Sequence, residues 1–241
     1  MNSKVLVIIP AFNESDNIVH VIENIESSGF ACEILVVDDG SCDDTSSVAR
    51  SCGVGVVRLP FNLGIGGAVQ TGFLYAARYG FDIAIQFDGD GQHDAQFFNK
   101  LIEPIVADQA DVVVGSRFLP PNLGYQSSWI RRIGIHFFSW LISFLTGMTI
   151  TDPTSGFRAC GRKVIKVFAY DYPLDFPEPE SIIEVKKTGA RIVEIPVQMK
   201  ERISGHSSIR YLKTLYYMVK VTFAILLRII QTKKQVGDHD D

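Results

Sequence analysis

The chain has 241 residues, 46% hydrophobic and 21% charged, enough for one generous domain with a sizeable core. Its net charge is −4 and it holds no dense basic run, which excludes bulk nucleic-acid binding. The charge is segregated: residues 1–115 hold 5 Lys+Arg against 16 Asp+Glu, and residues 116–241 hold 18 against 11, as expected of a site between metal-binding carboxylates and anion-binding guanidiniums.

The chain enters a strand almost at once. Val5–Ile9 is an apolar run ended by Pro10, with no basic, apolar, small-residue leader before it. Asp16–Ile25 sets Ile18, Ile22 and Ile25 at helical spacing. Ile34–Val37 reads as a second strand. Asp43-Asp44-Thr45 opens a short helix to Ser51, with acids where the helix dipole favours them. Val54–Leu59 is a third strand, Gly66–Tyr79 a helix, Ile83–Phe87 a fourth strand, Gln96–Ala107 a helix and Asp111–Gly115 a fifth strand. This alternation predicts an α/β fold, a mostly parallel central sheet with flanking helices. Cys32, Cys42, Cys52 and Cys160 form no CxxC pair and sit near no His cluster, so reduced cysteines in a cytoplasmic protein are expected and a zinc site is not.

The second half is different. Arg131–Met148 is rich in large apolar residues, among them Ile133, Phe137, Trp140 and Phe144, but is no longer than the minimum for crossing a bilayer. Tyr211–Ile230 is interrupted by Lys213, Lys220 and Arg228 at intervals of seven or eight residues, a charged stripe that suits a helix lying in a membrane interface. Packing of both helices on the sheet or on each other is the alternative. Residues 231–241 form a polar tail.

The most informative stretch is Asp88-Gly89-Asp90-Gly91-Gln92-His93, straight after the fourth strand. It presents two carboxylates and an amide, hard oxygen ligands suited to Mg²⁺ or Mn²⁺ held together with substrate phosphates. The bland alternative is an acidic Gly-rich turn without metal. Four further motifs follow strands or precede helices on the same edge. Pro10-Ala11-Phe12-Asn13-Glu14 offers an aromatic for stacking and a carboxylate for base N–H groups. Val36-Val37-Asp38-Asp39-Gly40-Ser41 ends the second strand in two acids, costly there unless paired or used on ligand donors. Asn62-Leu63-Gly64-Ile65-Gly66-Gly67 allows close backbone approach but matches no phosphate-loop pattern. Gly115-Ser116-Arg117 adds a cation. The carboxyl edge is where an α/β sheet keeps its ligand.

With these motifs the chain resembles glycosyltransferase family 2, GT-A fold, in the branch of dolichyl-phosphate mannose synthases and polyprenyl-phosphate glycosyltransferases. The resemblance rests on PAFNE (10–14), VVDDGS (36–41), NLGIGGA (62–68), QFDGDGQHD (86–94), VVVGSRF (112–118), DPTSGFR (152–158), GARIVEIPV (189–197) and ERISGHSSI (201–209). It implies that Pro10, Phe12, Glu14 and Asp39 hold the nucleotide base and ribose, with Asp88 and Gly89 beside them. Phe12 stands where the family usually has Tyr, keeping the stacking face without the hydroxyl. Asp88, Asp90 and Gln92 would bind Mg²⁺ or Mn²⁺ on the donor diphosphate. Arg117, Arg131 and Arg202 would contact donor or acceptor phosphates, with Arg132 as a substitute for Arg131. Asp152, Ser155 and Arg158 would shape the acceptor side. Asp90, Arg117 and Glu180 are the candidate catalytic residues, with Glu178 and Glu180 open also to being merely loop acids. Glu180, or Glu178 beside it in the acid-rich loop Asp175–Glu180, would serve as base if the acceptor is a hydroxyl.

The resulting expectation is a GT-A domain over residues 1–210, an amphipathic helix over 211–230 and a tail over 231–241. The activity is inverting transfer from a UDP- or GDP-sugar to a polyprenyl or dolichyl phosphate, peripheral at the cytoplasmic face of a membrane, with room for a small integral membrane partner. A glycan hydroxyl in cell-surface polysaccharide synthesis is the rival acceptor. A Rossmann oxidoreductase would carry GxGxxG after the first strand, where PAFNE stands instead. A silent GT-A binding protein would have lost Asp88, Asp90 and Gln92, which are all present.

Overall fold

The structure, a computed structural model, describes residues 3–120, 129–199 and 220–225. Its strands are β1 (Val5–Ala11), β2 (Glu33–Asp38), β3 (Gly55–Arg58), β4 (Ile83–Gln86), β5 (Val112–Ser116), β6 (Arg158–Gly161) and β7 (Ile192–Pro196). They form one sheet in the order β3-β2-β1-β4-β6-β5-β7. Every pairing is parallel except those of β6, which runs antiparallel between β4 and β5.

Burial on both faces follows from the strand sequences. In β1, Val5, Val7 and Ile9 pack with α1 (Ile18–Ser27), α2 (Thr45–Ser51) and α4 (Phe98–Val106). Leu6 and Ile8 point the other way, against α3 (Gly64–Arg78) and α6 (Arg162–Phe168). A parallel sheet covered on both sides reads as a continuous apolar run, as β1 does. Helix α3 lies very close to β1: a Cβ at Gly72 would fall 2.2 Å from Ile8 Cγ2.

Strand β1 does not stop at Pro10. It continues to Ala11, with Pro10 in register with Val37. The Ile8 carbonyl accepts from Phe87 N–H on the β4 side, and pairing with β4 ends at Ile8. The missing Pro10 N–H would face that side beyond the ladder, so no strand hydrogen bond is lost. The predicted loop at 175–180 is also corrected. Pro177 starts α7 (Pro177–Lys187), with Glu178 and Glu180 in its first turn, where proline and acids are both favoured. The predicted helix 96–107 divides into a 3-10 turn, Ala95–Phe97, and α4.

A third apolar cluster lies beyond the sheet. Phe138, Leu141 and Ile142 of α5 (Trp129–Thr146) meet Ile182 and Ile183 of α7. Val221 and Ile225 complete it. Of the predicted helix 211–230, only 220–225 are described; there Val221 and Ile225 pack inward while Phe223 is exposed. Among the described residues no helix is long and apolar enough to cross a membrane.

Candidate active site

The carboxyl ends of β1, β2, β4 and β5 lie on one edge, and antiparallel β6 starts there, since Arg158 pairs with both Gln86 and Val114. The loop preceding β6 thus reaches the same edge as the four strand ends.

The loops after β1 and β2 are laced together. Asn13 N–H donates to Ser41 Oγ, Cys42 N–H to Asn13 Oδ1, Glu14 N–H to Thr45 Oγ1 and Ser15 N–H to Asp43 Oδ2. These bonds hold Asn13 at φ 55°, a left-handed conformation that Asn tolerates better than most residues. Phe12 is left 45% exposed on the rim, an open face for stacking. Glu14 Oε2 accepts from Asn17 Nδ2 at 2.6 Å. Pro10 is buried inside the strand.

The acids ending β2 divide the work. Asp38 is fully buried and accepts from Ser41 N–H and Ser46 Oγ, with Arg58 Nε 3.8 Å away. Burial alone would raise its pKa, but the Ser41 and Ser46 hydrogen bonds and the Arg58 charge outweigh it and hold the carboxyl below its ordinary value. Asp39 takes the backbone N–H groups of Leu63 at 2.7 Å and Gly64 at 2.9 Å, which ties the glycine-rich loop to the sheet edge. Burial dominates there and pushes the Asp39 carboxyl up.

In the central turn, Asp90 Oδ1 accepts Gln92 N–H at 3.1 Å, and Gly91 takes φ 75°, which suits glycine. Gly89 sits close to β1; a Cβ there would stand 3.1 Å from the Pro10 carbonyl oxygen. The Asp88 side chain keeps 34% of its surface open. Burial raises its pKa, and the Asp90 charge raises it further. Two acids that repel each other beside an open face suit a divalent cation that would relieve the repulsion. Among the described residues no group of three or more His, Cys, Asp or Glu side chains is placed to hold a metal ion. The donor set of Asp88, Asp90 and Gln92, two carboxylates and an amide, fits a Mg²⁺ or Mn²⁺ site only if substrate phosphates supply the remaining oxygens.

Two further residues of the quoted motifs, Gln86 and Gly156, stand around Asp88. Gln86 ends β4 almost wholly buried, its Oε1 taking the Tyr172 hydroxyl at 3.4 Å. Gly156 presses on the turn: a Cβ there would lie 2.8 Å from both Asp88 carboxylate oxygens.

Arg117 is where the structure departs most from the sequence reading. It is 5% exposed, and its guanidinium binds Asp152 through Nε and Nη2 and Thr154 through Nη2. Glu194 of β7 in turn accepts the backbone N–H groups of Thr151 and Asp152. Arg117 is thus a strut between β5 and the 151–154 loop rather than an open phosphate ligand. Ser155 and Arg158 act alike. Ser155 Oγ donates to the Gly115 carbonyl, and Arg158 donates to the carbonyls of Ser155 and Pro153 and to Ser181 Oγ. These contacts set the shape of the 151–158 segment from beneath. Glu180 is 6% exposed in the first turn of α7. Glu178 is half-buried and electrostatically coupled to Asp88; burial raises its pKa, opposed by Arg158. Arg202 and the side chain of Arg131 lie outside the described residues.

A mostly parallel sheet that gathers an aromatic rim, a glycine-rich loop and an Asp-x-Asp turn on its carboxyl edge defines a GT-A-type transferase. The chain belongs to glycosyl transferase family 2, whose family model matches residues 6–172. It is a glycosyltransferase. It is 32% identical over 213 residues to a UDP-N-acetylglucosamine–dolichyl-phosphate N-acetylglucosaminyltransferase of Methanococcus voltae, covering 80% of this chain and 84% of that one. It is 29% identical over 218 residues to a polyprenol monophosphomannose synthase of Mycolicibacterium smegmatis, covering 85% and 80%. Among solved structures it is similar to glucosyl-3-phosphoglycerate synthase from Mycobacterium tuberculosis in complex with Mn²⁺, UDP and glucosyl-3-phosphoglycerate. That likeness has a TM-score of 0.72 at 22% identity, spans 95% of this chain and 80% of the other, and shows the shared fold.

Proposed function

We propose that this chain transfers a sugar from a nucleoside diphosphate sugar to a polyprenyl phosphate, with inversion at the anomeric carbon and with Mg²⁺ or Mn²⁺ bound at the turn. Phe12, Glu14 and Asp39 form the nucleoside side. Asp88, Asp90 and Gln92 hold the cation, which neutralises charge on the leaving diphosphate. The acceptor phosphate oxygen attacks the anomeric carbon as the bond to the diphosphate breaks, and the diphosphate leaves with the electron pair. A phosphate is already ionised at neutral pH, so no base is required.

The lipid part of this reading is carried by helix α5. Its Phe118–His136 ring contact, centroids 5.8 Å apart, places it beside the end of β5. Its outer stripe exposes Ile133, Trp140 and Phe144, the last at 75%, with Trp140 and Phe144 stacked. Relatives named for dolichyl- and polyprenol-phosphate acceptors support the same class. The exposed stripe also supports residence at a membrane surface. The test is a panel of UDP- and GDP-sugars with a short-chain polyprenyl phosphate and Mg²⁺ or Mn²⁺. Mass spectrometry detects the lipid-linked sugar, and NMR assigns its anomeric configuration. Transfer only to hydroxyl acceptors, or retention of configuration, would overturn the reading.

A further inference from the structure

His93 closes the turn that carries Asp88 and Asp90, yet it faces inward and is 3% exposed. We propose that His93 is a positioning residue that sets the Asp88 carboxylate for the divalent cation through both of its ring nitrogens. This inference rests on the metal reading above and adds a residue that holds a ligand without being one.

The geometry around the ring is the argument. Asp88 N–H donates to His93 Nδ1 at 3.3 Å, so Nδ1 is an acceptor and the proton of the neutral ring resides on Nε2. That nitrogen stands 3.6 Å from Asp88 Oδ2. One nitrogen therefore holds the backbone of Asp88 and the other faces its carboxylate, leaving neither for a metal. The ring plane is set by its neighbours. Phe157 stacks on it at 4.9 Å and 18°, and Phe87 meets it edge-on at 5.5 Å. Phe157 follows Gly156, which lies against the same carboxylate. Asp88 is thus confined between His93 and Gly156, and which lone pairs it offers to a cation is decided by groups the cation never touches. A ligand held by a partner of this kind commonly loses 10–100-fold in metal affinity when the partner is removed.

The test is titration of the full chain with Mn²⁺ in the presence of UDP or GDP, with protein-bound Mn²⁺ read by electron paramagnetic resonance and folding read by thermal melting. His93→Phe keeps an aromatic of similar size and removes both nitrogens; its Mn²⁺ affinity should fall about 10–100-fold with the melt still cooperative. His93→Asn retains an acceptor near the place of Nδ1 but not the Nε2 contact, and should fall between His93→Phe and wild type. Gly156→Ala pushes on the carboxylate from the opposite side and should weaken Mn²⁺ as well. A folded His93→Phe with wild-type affinity overturns the proposal. If His93→Phe does not fold, wild-type affinity in His93→Asn overturns it. A wild-type protein that binds no Mn²⁺ with UDP or with GDP present overturns the metal reading itself and this inference with it, so the two failures are distinguishable.

Discussion

Arg117 and Asp152 form a buried bidentate pair, Nε 2.6 Å from Oδ2 and Nη2 2.7 Å from Oδ1. The same carboxylate also receives the Arg117 backbone N–H at 3.1 Å. One residue after β5 and one in the loop before β6 are thereby locked together. Removing one partner strands the other charge in the interior, at a cost of about 3–5 kcal/mol. Arg117→Ala should lower the urea midpoint accordingly and lose turnover as the loop shifts. If the midpoint stays at the wild-type value while turnover collapses, Arg117 acts on substrate rather than as a strut.

Asp90→Asn keeps the turn's shape, because an amide oxygen can still accept Gln92 N–H, but removes a charge from the cation site. Transfer should be abolished and Mn²⁺-dependent binding of UDP or GDP sharply weakened, with an unchanged circular dichroism spectrum. Calorimetry with and without Mn²⁺ checks this. Chelation of divalent ions from the wild type should reproduce the loss, and restored Mn²⁺ should reverse it. Nucleotide affinity that ignores both treatments would remove the metal from the mechanism.

Asp38 makes stability depend on acid. Its folded pKa lies below the ordinary 3.8 because the Ser41 and Ser46 hydrogen bonds and the Arg58 charge overcome the opposing effect of burial. As pH falls, the unfolded chain takes up this proton first, so the contribution is present above about 3.8 and is lost as pH drops through the depressed folded value. Asp38→Asn should cost roughly 1.5–3 kcal/mol at neutral pH, the range for hydrogen bonds to a charged group. The gap between wild type and variant should narrow on acidification. Urea melts between pH 3 and 7 measure it, and a gap that is constant with pH would show that Asp38 contributes through shape alone.

Glu178 separates the two acceptor classes. With polyprenyl phosphate as acceptor, Glu178→Gln should retain most of its turnover. If a sugar hydroxyl is the true acceptor and Glu178 its base, the loss should be about 10²–10⁴-fold. Parallel assays with both acceptors decide between them.

The exposed stripe of α5 predicts a surface effect. The double substitution Trp140→Ser and Phe144→Ser removes two stacked, largely exposed rings. Flotation with anionic liposomes should fall while the melting temperature holds. Unchanged flotation would shift membrane contact away from this helix.

Much of the framework was legible in the sequence because it is local. Apolar runs such as Val5–Ile9 and Val112–Val114 announce buried strands, and the motifs that follow them must fall at strand ends. Pattern reading failed where local signals were weak. Strand β6 is four residues long, too short for periodicity, and its place between β4 and β5 depends on pairing with segments far away in the chain. The opening of α7 was hidden by Pro177 and Pro179, which read as a loop until packing made them the first turn of a helix.

The roles of individual charges divide in the same way. The sequence by itself determined the family-bearing motifs, the sheet edge on which they meet and the acids and amide available there, because strand, turn and helix signals are written in adjacent residues. Only the tertiary structure decided which charged and polar groups face a ligand and which face one another. It turned Arg117 and Arg158 inward, buried Glu180 and set His93 behind Asp88. The physical reason is that a charge taken out of water must find its partner, and here those partners stand on other segments: Arg117 meets Asp152 across 35 residues of chain, and Arg158 reaches Ser181 across 23.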